Sequence, residues 1–121
     1  MEVRILVIED DSTNMELMLF LLKSFGYQPI MAFVGLTGIE LARTIKPAMI
    51  LCDISLPGLS GIGVVRQLKG SDDLHHIPVI AVTAMTMAGD ERHILNAGFD
   101  GYVAKPFDAS ELRKVLALHL G

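Results

Sequence analysis

The sequence predicts an α/β sandwich of five strand–helix units, and three observations carry that reading. Five short runs rich in apolar residues recur along the chain, segments of helical spacing fill the intervals between them, and the connections are short. Alternation of strand and helix favours right-handed parallel crossovers and a sheet covered by helices on both faces. At 121 residues the chain suits one domain, expected over 1–121, and is long enough to bury a sizeable core.

The first strand is expected over residues 3–8, and the helix after it places Met15, Met18, Leu19, Leu22 and Phe25 at i, i+3, i+4 spacing, with Gly26 as its stop. Residues 28–32 give the second strand, and residues 36–45 a helix ended by Lys46-Pro47. The third strand, 48–52, precedes a helix over about 62–68, and the fourth, 78–82, precedes one over about 88–97, closed by Gly98. The fifth strand, 101–104, leads to a helix opening on Asp108-Ala109-Ser110-Glu111, whose Asp-x-x-Glu spacing resembles a capping box, and continuing through Leu112, Val115, Leu116 and Leu118. Three of the apolar runs are nearly continuous rather than alternating, as suits strands buried on both faces of a parallel sheet.

Composition narrows the function. About half the residues are apolar (51%) and 20% are charged, as in an ordinary soluble globular protein. A formal net charge of −4 and the lack of a Lys/Arg stripe argue against direct nucleic-acid binding. No apolar run approaches the roughly 20 residues of a membrane span. The first strand begins at once and leaves no room for a signal peptide, so the cytoplasm is the expected location. Cys52 lies inside an apolar run and reads as a small buried hydrophobe rather than a redox group.

The chemistry-bearing residues stand where strands end, the edge at which open parallel sheets bind ligands. Glu9, Asp10 and Asp11 follow the first run, Asp53 the third, Thr83 the fourth and Lys105-Pro106 the fifth. Carboxylates gathered at one edge repel each other unless cations neutralise them. Lys105 supplies one positive charge, and oxygen ligands without His or Cys suit a hard ion such as Mg2+, with Mn2+ as a substitute. A carboxylate can also act as a nucleophile toward phosphorus, giving an acyl phosphate whose charge the metal, a lysine and a hydroxyl would offset. Each of these residues also has an ordinary structural reading: Asp11 or Ser12 capping a helix, Thr83 bonding the backbone, Lys105 preceding a turn proline, Tyr102 packing with its hydroxyl wet. It is their arrangement together that points to a site.

In order and spacing, Leu6-Val7-Ile8-Glu9-Asp10-Asp11, Ile50-Leu51-Cys52-Asp53-Ile54-Ser55-Leu56-Pro57 with Gly58 and Gly61, Pro78-Val79-Ile80-Ala81-Val82-Thr83-Ala84, and the run from Gly98 through Tyr102 to Lys105-Pro106-Phe107 resemble the receiver domains of bacterial response regulators over essentially the full length. The resemblance implies a flavodoxin-like (βα)5 fold with strand order 2-1-3-4-5. It implies Asp53 as phospho-acceptor, Glu9, Asp10 and Asp53 as metal ligands with the backbone carbonyl of Ser55, and Thr83 and Lys105 as phosphoryl-binding groups. It further implies Tyr102 as the switch aromatic, a cis peptide at Lys105-Pro106, and Ser55 and Met85 as residues that tune phosphoryl lifetime. Three acids follow the first strand, so Asp10 and Asp11 form an alternative metal pair, although the family pattern favours Glu9 and Asp10.

The implied partners are a histidine kinase or histidine phosphotransfer protein as donor, and a downstream protein on the face of the fourth helix, fifth strand and fifth helix. With no effector domain expected after its fifth helix, the chain resembles the stand-alone regulators of chemotaxis and of the DivK cell-cycle type, the latter over residues 72–90. A receiver excised from a hybrid kinase or larger regulator would look the same, whereas the complete acid, Thr and Lys set argues against a pseudo-receiver that only docks. A haloacid dehalogenase-type aspartyl phosphatase would carry Asp-x-Asp at the nucleophile, where this chain has Asp53-Ile54-Ser55. An FMN module would need a phosphate loop where the three acids stand. His75 and His76 beside Asp72 and Asp73 read as a solvated loop, His93 and His119 as helix-surface residues, and Met85 and Met87 as packing or an adaptable contact surface.

Overall fold

The computed structural model describes residues 2–84 and 89–120. Its elements run β1 (Arg4–Ile8), α1 (Ser12–Ser24), β2 (Gln28–Ala32), α2 (Gly35–Ile45), β3 (Met49–Asp53), α3 (Gly61–Lys69), β4 (Val79–Thr83), α4 (Asp90–Ala97), β5 (Gly101–Ala104) and α5 (Ala109–Leu120). The strands form one parallel sheet in the order β2-β1-β3-β4-β5.

Alternation along each strand divides the core in two. Leu6, Ile8, Ile50, Cys52, Val79 and Ala81 face α2, α3 and α4, where they meet Ile39, Ala42, Val64, Val65, Leu68 and Ile94. Ile5, Val7, Met49, Leu51, Ile80, Val82 and Val103 face α1 and α5, where they meet Met15, Met18, Leu22, Leu112 and Leu116. Because both faces are covered, β3 and β4 are buried at every position, which is why their sequences read as continuous apolar runs.

Local chemistry sets the helix ends. Asp11 caps α1, its side chain accepting from the Asn14 N–H at 2.8 Å. At the other end Tyr27 N–H donates to Leu22 O and Gly26 N–H to Lys23 O, a Schellman closure that needs the positive φ of Gly26 (92°). In α5, Glu111 N–H donates to Asp108 Oδ1 at 2.8 Å, as the Asp-x-x-Glu spacing anticipates. Helix α4 is described from Asp90; residue 88, where the spacing starts it, lies outside the described residues.

Two contacts lie at the end of the sheet away from the acids. Lys69 Nζ donates to Asp100 Oδ2 at 2.6 Å and to the carbonyls of His75 and Ile77, while Asp100 Oδ2 also accepts from Val79 N–H at 2.9 Å. This ties the last turn of α3 and the turn before β5 to the start of β4. The His119 ring is half-buried against the bare backbone of Gly101 rather than lying free on the surface of α5, since a Cβ there would stand 2.7 Å from Nε2.

Candidate functional site

Strand β1 sends its crossover to β2 on one side, and β3 lies on its other side, so a crevice opens where β1 and β3 end. Glu9 follows β1 with its N–H bonded to Ala32 O at 3.0 Å. Asp53 and Thr83 close β3 and β4, and Lys105 follows β5 with its N–H on Thr83 O at 2.8 Å. The Lys105–Pro106 peptide is cis. The sheet thus delivers all four groups to one edge through backbone bonds that leave their side chains free for the crevice.

Glu9, Asp53 and Thr83 are buried at 3%, 6% and 8% exposure, the buried polar side chains among the described residues. Each of Glu9, Asp10 and Asp53 offers a carboxylate oxygen within 4.8 Å of the others, and Asp10 is exposed. Lys105 Nζ stands 3.0 Å from Glu9 Oε1 and 3.5 Å from Asp53 Oδ2. Asp53 Oδ1 accepts from the Ser55 N–H at 3.0 Å, and Glu9 Oε2 from the Asp11 N–H at 3.2 Å. The Asp11 carboxylate is spent on the cap of α1, and the cluster of described acids does not include it.

The electrostatics follow from three acids around one ammonium. Burial, then the neighbouring Asp53, raises the pKa of Glu9 despite the opposing Lys105 and Asp11 N–H. Burial works against the Lys105 ammonium, but Glu9 and Asp53 outweigh it and raise its pKa too. The buried Cys52 thiol, which donates to Asp53 O at 3.3 Å, is pushed far up by burial and by both acids, so it stays protonated. Negative charge is therefore in surplus, and the donor set is hard oxygen with one exposed member, which fits a small divalent cation that keeps some of its waters.

The loop after β3 is drawn tightly against the site. Gly61 N–H bonds Ile54 O at 2.9 Å, Ser60 caps α3, and Leu56 is buried beneath. A Cβ on Gly61 would fall on Asp53 O and 2.6 Å from Ile54 Cα, so only glycine lets α3 start this close to the acceptor's backbone.

Tyr102 lies apart from the acids. It sits on β5 opposite Ala81, with its ring partly buried against the α4 side of the core. Met85 lies outside the described residues. His75 and His76 meet edge to face at 6.1 Å, with His75 Nδ1 on backbone carbonyls, in line with a solvated loop. Sequence reasoning missed Asp90 and His93, which with Ile54, Thr83, Ala84 and Ile94 line a cavity of about 160 Å3 beside the site. Their i, i+3 spacing puts them on one side of α4, but only the fold says which side that is.

Comparison with known proteins agrees with this architecture. The model of the response regulator receiver domain matches residues 5–117. The polar-differentiation response regulator DivK of Brucella anthropi is 41% identical over 97% of this chain and 95% of its own. The receiver domain of a Pseudomonas aeruginosa sensor histidine kinase, solved with a magnesium ion coordinated in its active-site cleft, superposes with a TM-score of 0.92 at 31% identity, covering 100% of this chain and 99% of its own. The Vibrio cholerae chemotaxis protein CheY4 shares the fold at a TM-score of 0.91 and 20% identity, over 98% of this chain and 99% of its own. With five parallel strands in the order 2-1-3-4-5 and this match along nearly its whole length, the chain belongs to the receiver domains of response regulators, the phospho-acceptor switches of two-component signalling.

Proposed function

We propose that Asp53 takes the phosphoryl group. The observation that carries this reading is a buried carboxylate held 3.5 Å from Lys105 and within 4.8 Å of the Glu9 and Asp10 oxygens, at the end of a central strand. An Asp53 carboxylate oxygen attacks phosphorus of a phosphohistidine on a histidine kinase or phosphotransfer protein. The P–O bond forms as the P–N bond breaks, and the imidazole leaves with its electron pair. Attack by water later releases inorganic phosphate and restores the carboxylate. Glu9, Asp10, Asp53 and the Ser55 carbonyl would hold Mg2+, or Mn2+ in its place, which neutralises charge on the transferring group. Lys105 supplies the fixed positive charge, and the Ser55 N–H holds the acceptor's orientation. Turnover is confined to the protein's own phosphorylation and dephosphorylation, so the chain acts as a signalling module rather than an enzyme.

The phosphoryl group brings a charge of roughly −2. Thr83 and Lys105 move toward it, Tyr102 turns inward, and the face built from α4, β5 and α5 changes its affinity for a downstream protein. Ser55 and Met85, two residues beyond Asp53 and Thr83, tune how long the group persists. Intact mass after incubation with acetyl phosphate, with and without Mg2+, tests the chemistry. One phosphoryl group gained only with Mg2+ is expected, and a gain without metal would contradict the proposed site.

Two further expectations separate roles within the site. Asp10→Ala should weaken the thermal stabilisation by Mg2+, which for wild type at tenfold excess over Kd is roughly 1.4 kcal/mol. Asp11→Ala should keep that stabilisation while losing about 1 kcal/mol of cap energy. Thermal melts with and without Mg2+ check both, and a reversed pattern would give the metal to Asp11. Thr83→Ala should still accept the phosphoryl group but lose most of its conformational response, read as amide shifts across α4 and β5 on adding beryllofluoride.

A further inference from the structure

Strand β2 ends at Ala32, whose carbonyl accepts the Glu9 N–H at 3.0 Å, so the residues after it emerge on the same edge as the acids. Those residues are apolar and exposed, Phe33 at 47%, Val34 at 45% and Leu36 at 61%. No charged residue stands between Lys23 and Glu40. The platform beneath them is fixed. A Cβ on Gly35 would stand 2.8 Å from Val64 Cγ2 and 2.9 Å from the Leu59 carbonyl oxygen, and one on Gly38 would run into Ile8. The first turn of α2 therefore presses on β1 and on the loop that follows Asp53. Val34 is the N-cap of α2 and makes no side-chain cap bond, whereas Asp11 and Ser60 cap α1 and α3. A serine at that position would make the helix more stable, so folding does not account for the valine.

We propose that Phe33, Val34 and Leu36 form a docking surface for the protein that brings the phosphohistidine to Asp53. The inference rests on the phosphotransfer reading above and places part of the donor's contact. A protein donor to Asp53 must cover the loop after β3, where Pro57 and Gly58 are exposed, and the β2–α2 turn packs against that loop at Leu59. The three side chains together expose roughly 300 Å2, the scale of apolar patches that mark interaction sites. A stable interface buries about 800 Å2 per partner, so the patch suits one part of a transient contact better than a dimer of this chain. Exposed acids flank it, Asp10 and Asp11 beyond the neighbouring strand and Glu40 one turn along α2. The matching donor face is apolar at its centre with basic residues around it. Because the turn is already rigid, docking orders no loop.

The test measures phosphotransfer to the full chain from the purified, autophosphorylated histidine kinases of the source organism, and the kinase that transfers fastest serves as the probe. Phe33→Ser and Leu36→Ser are each expected to raise the KM for that donor about tenfold, the effect of losing one well-packed interface side chain, with kcat unchanged. Phosphorylation by acetyl phosphate should not change, because a small donor needs no docking. Val34→Ser separates docking from folding, since it should raise the melting temperature by supplying a cap and still weaken transfer. Unchanged KM in the three variants, or an equal loss with acetyl phosphate, overturns the docking surface while leaving the receiver chemistry standing. So does a wild-type dimer that Leu36→Glu dissolves, which would give the patch to a second copy. A panel in which no kinase transfers to a wild type that acetyl phosphate phosphorylates overturns it as well. A wild type that acetyl phosphate cannot phosphorylate in Mg2+ overturns that chemistry, and the docking surface with it.

Discussion

Asp53→Asn should gain no phosphoryl group from acetyl phosphate under conditions in which wild type gains one. The amide is nearly isosteric, and its oxygen can still accept the Ser55 N–H that Asp53 Oδ1 accepts at 3.0 Å. What disappears is the charged nucleophile, together with one of the three carboxylates whose oxygens meet within 4.8 Å. The fold should survive, because removing a charge from a pocket where acids outnumber the single Lys105 relieves repulsion as it removes the 3.5 Å ion pair. Intact mass and a thermal melt on the same sample check both halves. A phosphoryl group on the variant would move the acceptor to another residue.

Gly61→Ala should cost about 3 kcal/mol and slow phosphorylation as well, the upper part of the range for overpacking a dense interior. Its Cβ would meet backbone, the Asp53 carbonyl oxygen and Ile54 Cα, and backbone cannot rotate away. Relief requires α3 to retreat or the β3–α3 loop to shift, and either displaces the residue that carries the acceptor carboxylate. Gly38→Ala is the control. Its Cβ meets the side chain of Ile8, whose outer carbons can turn, and alanine gains about 1 kcal/mol over glycine inside a helix, so a net change within about 1 kcal/mol is expected. Denaturant melts of the two variants check the contrast, and equal losses would show that the loop is as compliant as a side chain.

The elements were legible because burial on both faces writes itself as continuous apolar runs, and helix stops announce themselves at Gly26, Lys46-Pro47 and Gly98. The site was legible because a parallel sheet sends every strand end to one edge, so residues directly after apolar runs must meet. Contacts between distant elements were not. Lys69 and Asp100 are 31 positions apart, and nothing in either segment's periodicity marks them as partners. Likewise, helical spacing puts Asp90 and His93 on one side of α4 and Glu91 on another, but cannot say which side meets Thr83. His119 looked like a surface residue because its partner is a glycine's bare backbone, which leaves no trace in a hydropathy pattern.

In the proposed switch, the Lys69–Asp100 clamp would give α4 the mechanics of a lever. Its fulcrum is the carboxyl end, where Ala97 runs into the buried Phe99 and the clamped Asp100, while Ile94 is the buried residue along its length. Eight residues at 1.5 Å each make an arm of about 12 Å. A tilt of about 10° around that fulcrum would sweep the far end, next to Thr83, through about 2 Å while barely moving the pivot. Motion started at the acids by the proposed switch would thus be amplified along the outer surface of α4 and kept out of the α1–α5 layer, whose apolar contacts lie across the sheet.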